Sequence, residues 1–432
     1  MSNIIRVLQE RGFIEALTSE DLFRLTEKPI KVYCGFDPSA DSLHLGNLVA
    51  IMGLAWFGRF GHTPVVVLGG ATGMIGDPSG KTGERQLLDE NTINNNIIGI
   101  KRDLENVLAS SQGVSKPVVL NNFDWFKKFS LIEFLRDVGK LFRIGPMLSK
   151  DSVRSRLSSE EGISFTEFSY QVLQGYDFLH LYENHGVLVQ LGGSDQWGNM
   201  TAGTDLIRKV HGQPAYGITF PLLTRSDGQK FGKSEKGAIW LSSEKLSCYE
   251  FYQYLVRVSD EDVLKLLRML TFIDMAEIHH YEKLMKRSDY VPRTAQKRLA
   301  EEVTRLVHGE DGLQKALKVT EAAAPGSEAV LDLESLEGIA SDMPHRRMER
   351  GLIVDQKLID LLVTVGLQSS KSEARRLLRN GGVYLNNEKI EDEALLIEPS
   401  HIIGNRLILL AAGKKNKLLI RLEDELESVK KI

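Results

Sequence analysis

The sequence predicts an α/β fold: a doubly wound parallel sheet over residues 1–245, then an α-helical segment, then a small α+β module. Three observations lead there. From residue 30 to about 225, short apolar runs alternate with helix-length segments, as parallel strands with helices on both faces require. Two of those runs, "TPVVVLGGATGMIGDPSG" (63–80) and "GVLVQLGGSDQWGN" (186–199), break at Gly-Gly and continue into polar residues. From 246 to 325 the apolar spacing turns helical, in "CYEFYQYLVRVSDEDVLKLLRMLTF" and "TAQKRLAEEVTRLVHGEDGLQKAL". Ligands of such sheets bind at the carboxyl ends of the strands, so the polar loops there are where chemistry is expected.

A chain of 432 residues exceeds one ordinary domain. Its 54 Lys and Arg against 58 Asp and Glu give a net charge of −4, which excludes a uniformly basic nucleic-acid coat but allows a local basic patch. The two cysteines, Cys34 and Cys248, lie far apart, so neither a disulfide scaffold nor a zinc site is expected, and no metal-ligand set emerges. The opening "MSNIIRVLQERGFIEALTSEDL" reads as an amphipathic helix without the apolar core of a signal peptide, and no window reaches transmembrane length. The expectation is a cytoplasmic protein with no membrane partner.

Taken in order, "IKVYCGF" (30–36) is a strand ending in a Cys-Gly step. "SADSLHLGN" (39–47) is a turn after Asp37-Pro38 that opens the apolar helix "LVAIMGLAWFGRFG" (48–61), with Asp41 or Ser42 as candidate N-cap and Gly61 as the stop. Unpaired N–H groups at such a helix start suit a phosphate. His44 and Asn47 either flank that anion or merely finish the cap. "GDPSGKT" (76–82) has three residues between its glycines where a phosphate-binding P-loop has four, and that reading is rejected. Residues 123–182 read as helices, and "FDWFKKFSLIEFLRDVGKLFRIGPML" (123–148) is either core or an apolar interface. "KFGKSEKG" (230–237) sets two lysines three apart before a serine, a mobile clamp for phosphates or a solvated turn. Residues 246–325 form the helical domain, 326–351 a weakly structured linker, 352–421 the compact module and 422–432 a charged tail. The module holds eleven Lys and Arg against eight Asp and Glu, and "SSKSEARRLLRNGGVYLNNEKI" (369–390) reads as a basic helix, a Gly-Gly turn, a strand and an Asn-Asn turn.

"HLGN", "GGSDQWGN" and "KFGKS", in that order over an α/β segment, resemble the class I aminoacyl-tRNA synthetases, with HLGN standing for their HIGH motif and KFGKS for KMSKS. "YCGFDPSADSLHLGN", "GGATGMIGDPSGK", "ISFTEFSYQVLQGYDFL" and "LGGSDQWGN" narrow the resemblance to the bacterial-type tyrosyl-tRNA synthetases, over nearly the whole chain. The resemblance implies a Rossmann-like catalytic domain, a helical domain on the anticodon side of tRNA, and a small RNA-binding domain. It implies tyrosine activation with ATP and Mg2+, followed by transfer to tRNA(Tyr), by a homodimer formed through residues 123–148.

Site roles also follow from the resemblance. Ser39 and His44 would meet the ATP phosphates, and Asn47 stands where a second histidine is usual, near the ribose. Lys230, Lys233 and Ser234 would close on the departing pyrophosphate, helped by Lys81 and Arg85. Cys34, Gly35, Asp37, Gly193 and Asp195 complete the ATP side. Tyr33 and Asp177 would hold the phenol hydroxyl; Tyr170, Gln174 and Asp77 the amino group; Gln196 the carboxyl end. Lys371, Arg375, Arg376 and Arg379 would meet RNA backbone. Two departures stand out: Asn47 cannot become cationic, and Phe231-Gly232 replaces the Met-Ser of the consensus loop.

Overall fold

The computed structural model describes residues 3–80, 83, 87–111, 116–160, 162–234, 237–324, 331, 333–340, 343–413 and 416–423. The chain forms two compact units, Met1–Lys245 with Val256–Val307, and Leu246–Leu255 with His308–Ile432.

The first unit is built on a six-stranded sheet of β1 (Ala16–Leu17), β2 (Lys31–Phe36), β3 (Thr63–Leu68), β4 (Val118–Asn121), β5 (Val187–Gly193) and β6 (Tyr216–Phe220). Their order is β1-β6-β5-β2-β3-β4. Every neighbouring pair is parallel except β1 with β6. β3 and β6 are almost wholly buried, as strands covered on both faces must be, and their apolar runs supply that burial. The chain runs outward from β2 to β3 on one side and reaches β5 on the other. The switch in direction therefore opens a crevice beside β2.

Two expectations need correction here. The N-terminal segment is a helix over Ile4–Glu10, ended at Gly12 (φ 76°), followed by β1 rather than by more helix. Ala16 and Leu17 pair with Thr219 and Ile218, and that ladder outweighs local helical spacing. The N-cap of the apolar helix is neither Asp41 nor Ser42. Asp41 is ion-paired with Lys245, and the Ser42 hydroxyl donates to Asp103 at 2.7 Å. His44 caps instead, opening a single 3-10 turn over Leu45–Asn47 that leads into the Leu48–Arg59 helix.

The helical stretch expected as one domain over 246–325 is shared between the two units. Arg11, buried, shows how 256–307 is held in the first: its guanidinium donates to the carbonyls of Arg268, Thr271 and Ile273 at 2.8–2.9 Å, filling acceptors at the end of the Asp260–Leu270 helix. Tyr249 belongs to the second unit, packed with Val319, Leu336, Leu407 and Leu419.

That unit carries a sheet of β9 (His345–Glu349), β10 (Val383–Leu385), β11 (Glu388–Lys389), β12 (Leu407–Ala412) and β13 (Asn416–Glu423), ordered β11-β10-β12-β13-β9. The expected linker over 326–351 is thereby overturned for its described part. It contains a helix, Leu333–Ala340, and β9, which pairs in parallel with β13. "HRRME" shows no apolar alternation because β9 is an exposed edge strand, held by backbone bonds rather than by burial. On β13, Ile420 joins the core under the Leu358–Thr364 and Lys371–Arg379 helices, and Leu419 joins the opposite cluster. β13 takes in the first two residues of the expected tail; 424–432 lie outside the described residues. Among the described residues no helix is long and apolar enough to cross a membrane.

Candidate active site

β2, β3 and β5 all end at one cavity of about 440 Å³. Tyr33, Cys34, Gly35, Asp37, Ser39, His44 and Asn47 line it from the first βα turn, and Asp77 from the loop after β3. Tyr170, Gln174 and Asp177 reach it from the Phe165–His185 helix, where spacings of four and three residues put them on one face. Gly193, Asp195 and Gln196 come from the end of β5, and Lys230 and Lys233 from the lysine loop. Lys81, Arg85 and the side chain of Ser234 lie outside the described residues.

At the deep end, the Tyr33 hydroxyl is buried and has no hydrogen-bond partner among the described residues. Asp177 is near enough to help raise the Tyr33 pKa, after burial itself. Asp177 accepts from Trp125 Nε1 at 2.8 Å on one oxygen and from Asn122 Nδ2 at 3.1 Å on the other. Burial still pushes its carboxyl up to about 8, against the pull of those two donors. A carboxylate offers about four lone-pair positions, so Asp177 retains room for a further donor. The helix that presents it is fixed at its first turn by the fully buried pair Arg156–Glu167, at 2.8 Å.

One step outward, acceptors gather. Tyr170 donates its hydroxyl proton to Asp37 at 2.8 Å, which leaves the Tyr170 oxygen facing the cavity as an acceptor. Thr72 donates to the other Asp37 oxygen at 2.7 Å. Asp77 accepts from Gln196 Nε2 at 2.7 Å and from the Ser79 backbone at 3.0 Å. Asn199 Nδ2 sits 2.9 Å from Gln174 Oε1 and 3.4 Å from an Asp77 oxygen, locking both in place. Two carboxylates, an amide oxygen and a phenol oxygen suit a small cation such as an ammonium group.

At the mouth, the His44 ring accepts from Gly46 N at 3.1 Å, and Asn47 Oδ1 accepts from His44 N at 3.1 Å. The side chains thus complete the cap and line the cavity at once. The lysine loop docks directly on this turn. Leu45 N donates to Ile239 O at 2.8 Å, Ile239 N to Gly232 O at 2.9 Å, and Phe231 N to Leu223 O at 2.9 Å. Gly232 has φ 84°, and a Cβ there would stand 2.7 Å from Gly46 N. Glycine at 232 therefore follows from backbone-to-backbone approach. β7 (Lys233–Ser234) pairs antiparallel with β8 (Gly237–Ala238) in the same loop. Burial pushes the Cys34 thiol up to about 12, so it is a neutral donor, and burial with nearby Asp77 raises the Asp195 carboxyl. Among the described residues no three His, Cys, Asp or Glu side chains gather closely enough to hold a metal ion.

Asn122, Trp125, Thr72 and Asn199 were missed in the sequence. The signal for Asn122 was available, since it follows the apolar run "VVL" as other polar loops follow their strands. Trp125 was hidden inside the apolar 123–148 stretch. Its neighbours there divide sharply: Trp125 is buried, whereas Leu131 and Ile132 are 72% and 69% exposed.

The family described as "tRNA synthetases class I (W and Y)" matches residues 25–324, and the "Tyrosine--tRNA ligase SYY-like C-terminal domain" matches 335–420. The chain belongs to the tyrosyl-tRNA synthetase family of class I. It is 69% identical to a tyrosine–tRNA ligase of Protochlamydia amoebophila (strain UWE25), over 98% of this chain and all of that one. It is 51% identical to the chloroplastic/mitochondrial tyrosine–tRNA ligase of Arabidopsis thaliana, over 97% of this chain and 84% of that one. A C-terminally truncated mitochondrial tyrosyl-tRNA synthetase from Coccidioides posadasii superposes with a TM-score of 0.65 at 36% identity, covering 74% of this chain and 92% of that one. In this synthetase family member the C-terminal match begins at 335, which takes in most of the Leu333–Ala340 helix and all of β9. Lys371, Arg375, Arg376 and Arg379 are all exposed on one helix there, while Ala374 and Leu378 turn inward. Lys371 pairs with Asp360 at 3.0 Å and Arg379 with Glu393 at 2.6 Å, both at the surface.

Proposed function

We propose that the chain activates L-tyrosine with ATP, giving tyrosyl-adenylate and pyrophosphate, and then passes the tyrosyl group to the terminal adenosine of tRNA(Tyr). The observation that carries this reading is the buried Tyr33 hydroxyl, which has no hydrogen-bond partner among the described residues, beside Asp177 in the cavity. A phenol hydroxyl satisfies both at once. Phenylalanine would leave the buried Tyr33 hydroxyl unpaired, which costs about 1–3 kcal/mol, and would give Asp177 no further donor.

With the phenol seated there, the ammonium group falls among Asp77, Gln174 and Tyr170. The tyrosine carboxylate then attacks the α-phosphorus of ATP, and the α–β bridging oxygen leaves with pyrophosphate. Magnesium comes with ATP as part of that substrate. The chain's work is positioning and charge: His44 and Asn47 hold the nucleotide at the helix start, and Lys230, Lys233 and Ser234 stabilise the leaving pyrophosphate, with Lys81 and Arg85. Ser39, Cys34, Gly35, Gly193 and Asp195 frame the adenylate. Gln196, whose amide already donates to Asp77, orients that carboxylate and borders the carboxyl end.

The exposed Arg375 and Arg376, with Lys371 and Arg379, support tRNA backbone binding by the second unit. Exposed Leu131, Ile132, Leu135 and Ile144 support a two-fold dimer through the 123–148 region. The ligase works in the cytoplasm, with its tRNA. ATP–pyrophosphate exchange with each amino acid tests the reading. Exchange dependent on tyrosine is expected, and exchange dependent on tryptophan instead would overturn it.

A further inference from the structure

Trp125 is gripped from two directions by one helix. Its indole N–H donates to Asp177 Oδ1 at 2.8 Å. The ring of His180, three residues further along the same helix, stacks on the indole face, with centroids 4.5 Å apart and planes 19° from parallel. Residues three apart lie on the same helical face, so Asp177 and His180 clasp Trp125 by its edge and its face. His180 itself is held: Asn184 Nδ2 lies 3.3 Å from its Nδ1 and donates to its backbone carbonyl at 3.0 Å. Trp125 comes from the short Phe123–Phe126 helix, after β4, and is buried in the cluster that holds Tyr33 and Phe178.

We propose that His180 is a positioning residue for substrate selection: by stacking on Trp125 it keeps the indole N–H on Asp177, and so holds the acceptor for the tyrosine hydroxyl in place. The proposal rests on the phenol assignment above. Without the stack, the indole turns about its side-chain bonds, Asp177 loses one of its two donors, and the acceptor swings. The ATP side of the cavity has no part in this chain of contacts.

His180→Ala in the full chain is expected to raise the tyrosine KM in pyrophosphate exchange by about threefold to tenfold, the range an aromatic pair contributes. Discrimination between tyrosine and phenylalanine should fall by the same factor, with ATP KM and kcat within twofold of the parent. His180→Phe, which restores a flat ring, should return both quantities. Asp177→Asn is measured alongside. If Asp177→Asn leaves tyrosine KM and discrimination unchanged, the phenol assignment itself fails. If Asp177→Asn moves them and His180→Ala does not, the positioning role alone is overturned. Equal loss toward tyrosine and ATP, or failure of His180→Phe to rescue, also overturns it, because a merely structural histidine behaves in that way.

Discussion

Asp177 accepts from a phenol most strongly when ionised, yet burial pushes its carboxyl up to about 8. Below that pH the free protein holds Asp177 protonated, and a phenol that donates to it must displace a proton. Tyrosine affinity is therefore expected to rise with pH up to about 8, by at most tenfold per unit, and then level off. Equilibrium dialysis from pH 6 to 8.5 checks this, and Asp177→Asn should flatten the profile. Lys233 should behave differently. Lys233→Ala is expected to slow adenylate formation by about 10²–10³ with tyrosine binding unchanged, as loss of one transition-state donor does; rapid-quench measurement of the first turnover decides it. Gly232→Ser restores the consensus residue but places a Cβ at φ 84° against Gly46 N, so the first turnover should slow rather than improve. At this scale the family resemblance pointed to Tyr33, Asp77 and Asp177, and the structure gathers all three at one cavity. Asn122 and Asn199 were missed, because a side chain that orients another leaves no motif of its own.

The helices and strands were legible where burial dictates pattern. β3 announces itself as "TPVVVL", and the Phe165–His185 helix falls almost wholly within the 123–182 stretch read as helices. β1 and β9 were illegible for one shared reason: both are short or exposed edge strands whose stability comes from backbone ladders to partners elsewhere in the chain. The 123–148 region was legible only as a whole, since apolar content alone does not separate a residue packed on Asp177 from one facing solvent. That difference gives a test. Leu131→Asp with Ile132→Asp replaces two exposed side chains, so the fold should persist by circular dichroism while sedimentation velocity shifts from dimer to monomer. A species that sediments as a dimer regardless would assign the interface elsewhere.

For the molecule as a whole, the division into units decides where it can be cut. A chain ending after Arg350 would keep β9 and the Leu333–Ala340 helix but lose β13, leaving Leu336 without Leu407 and Leu419. A chain ending after Ala324 leaves no stranded Leu336 or β9, although Tyr249 and Val319 then lose Leu336, Leu407 and Leu419. It is expected to retain tyrosine-dependent pyrophosphate exchange and lose most tRNA charging, and the longer fragment should be more sensitive to protease. Charge reversal at Arg375 and Arg376 in the full chain should weaken tRNA binding and flatten its salt dependence, leaving exchange untouched.

The same division sets an order of events during synthesis. Residues 246–255, with Tyr249 and Phe251 destined for burial, leave the ribosome before 256–307, which complete the other unit. Leu419, which packs with Tyr249, is made 164 residues after Leu255 (419 − 255). At translation speeds of about 5–20 residues per second, that short aromatic segment meets Val319 and Leu336 first and waits about 8–33 s for the last of its partners. Throughout that interval its aromatic face is only partly covered, tethered between a finished neighbour and an unfinished one.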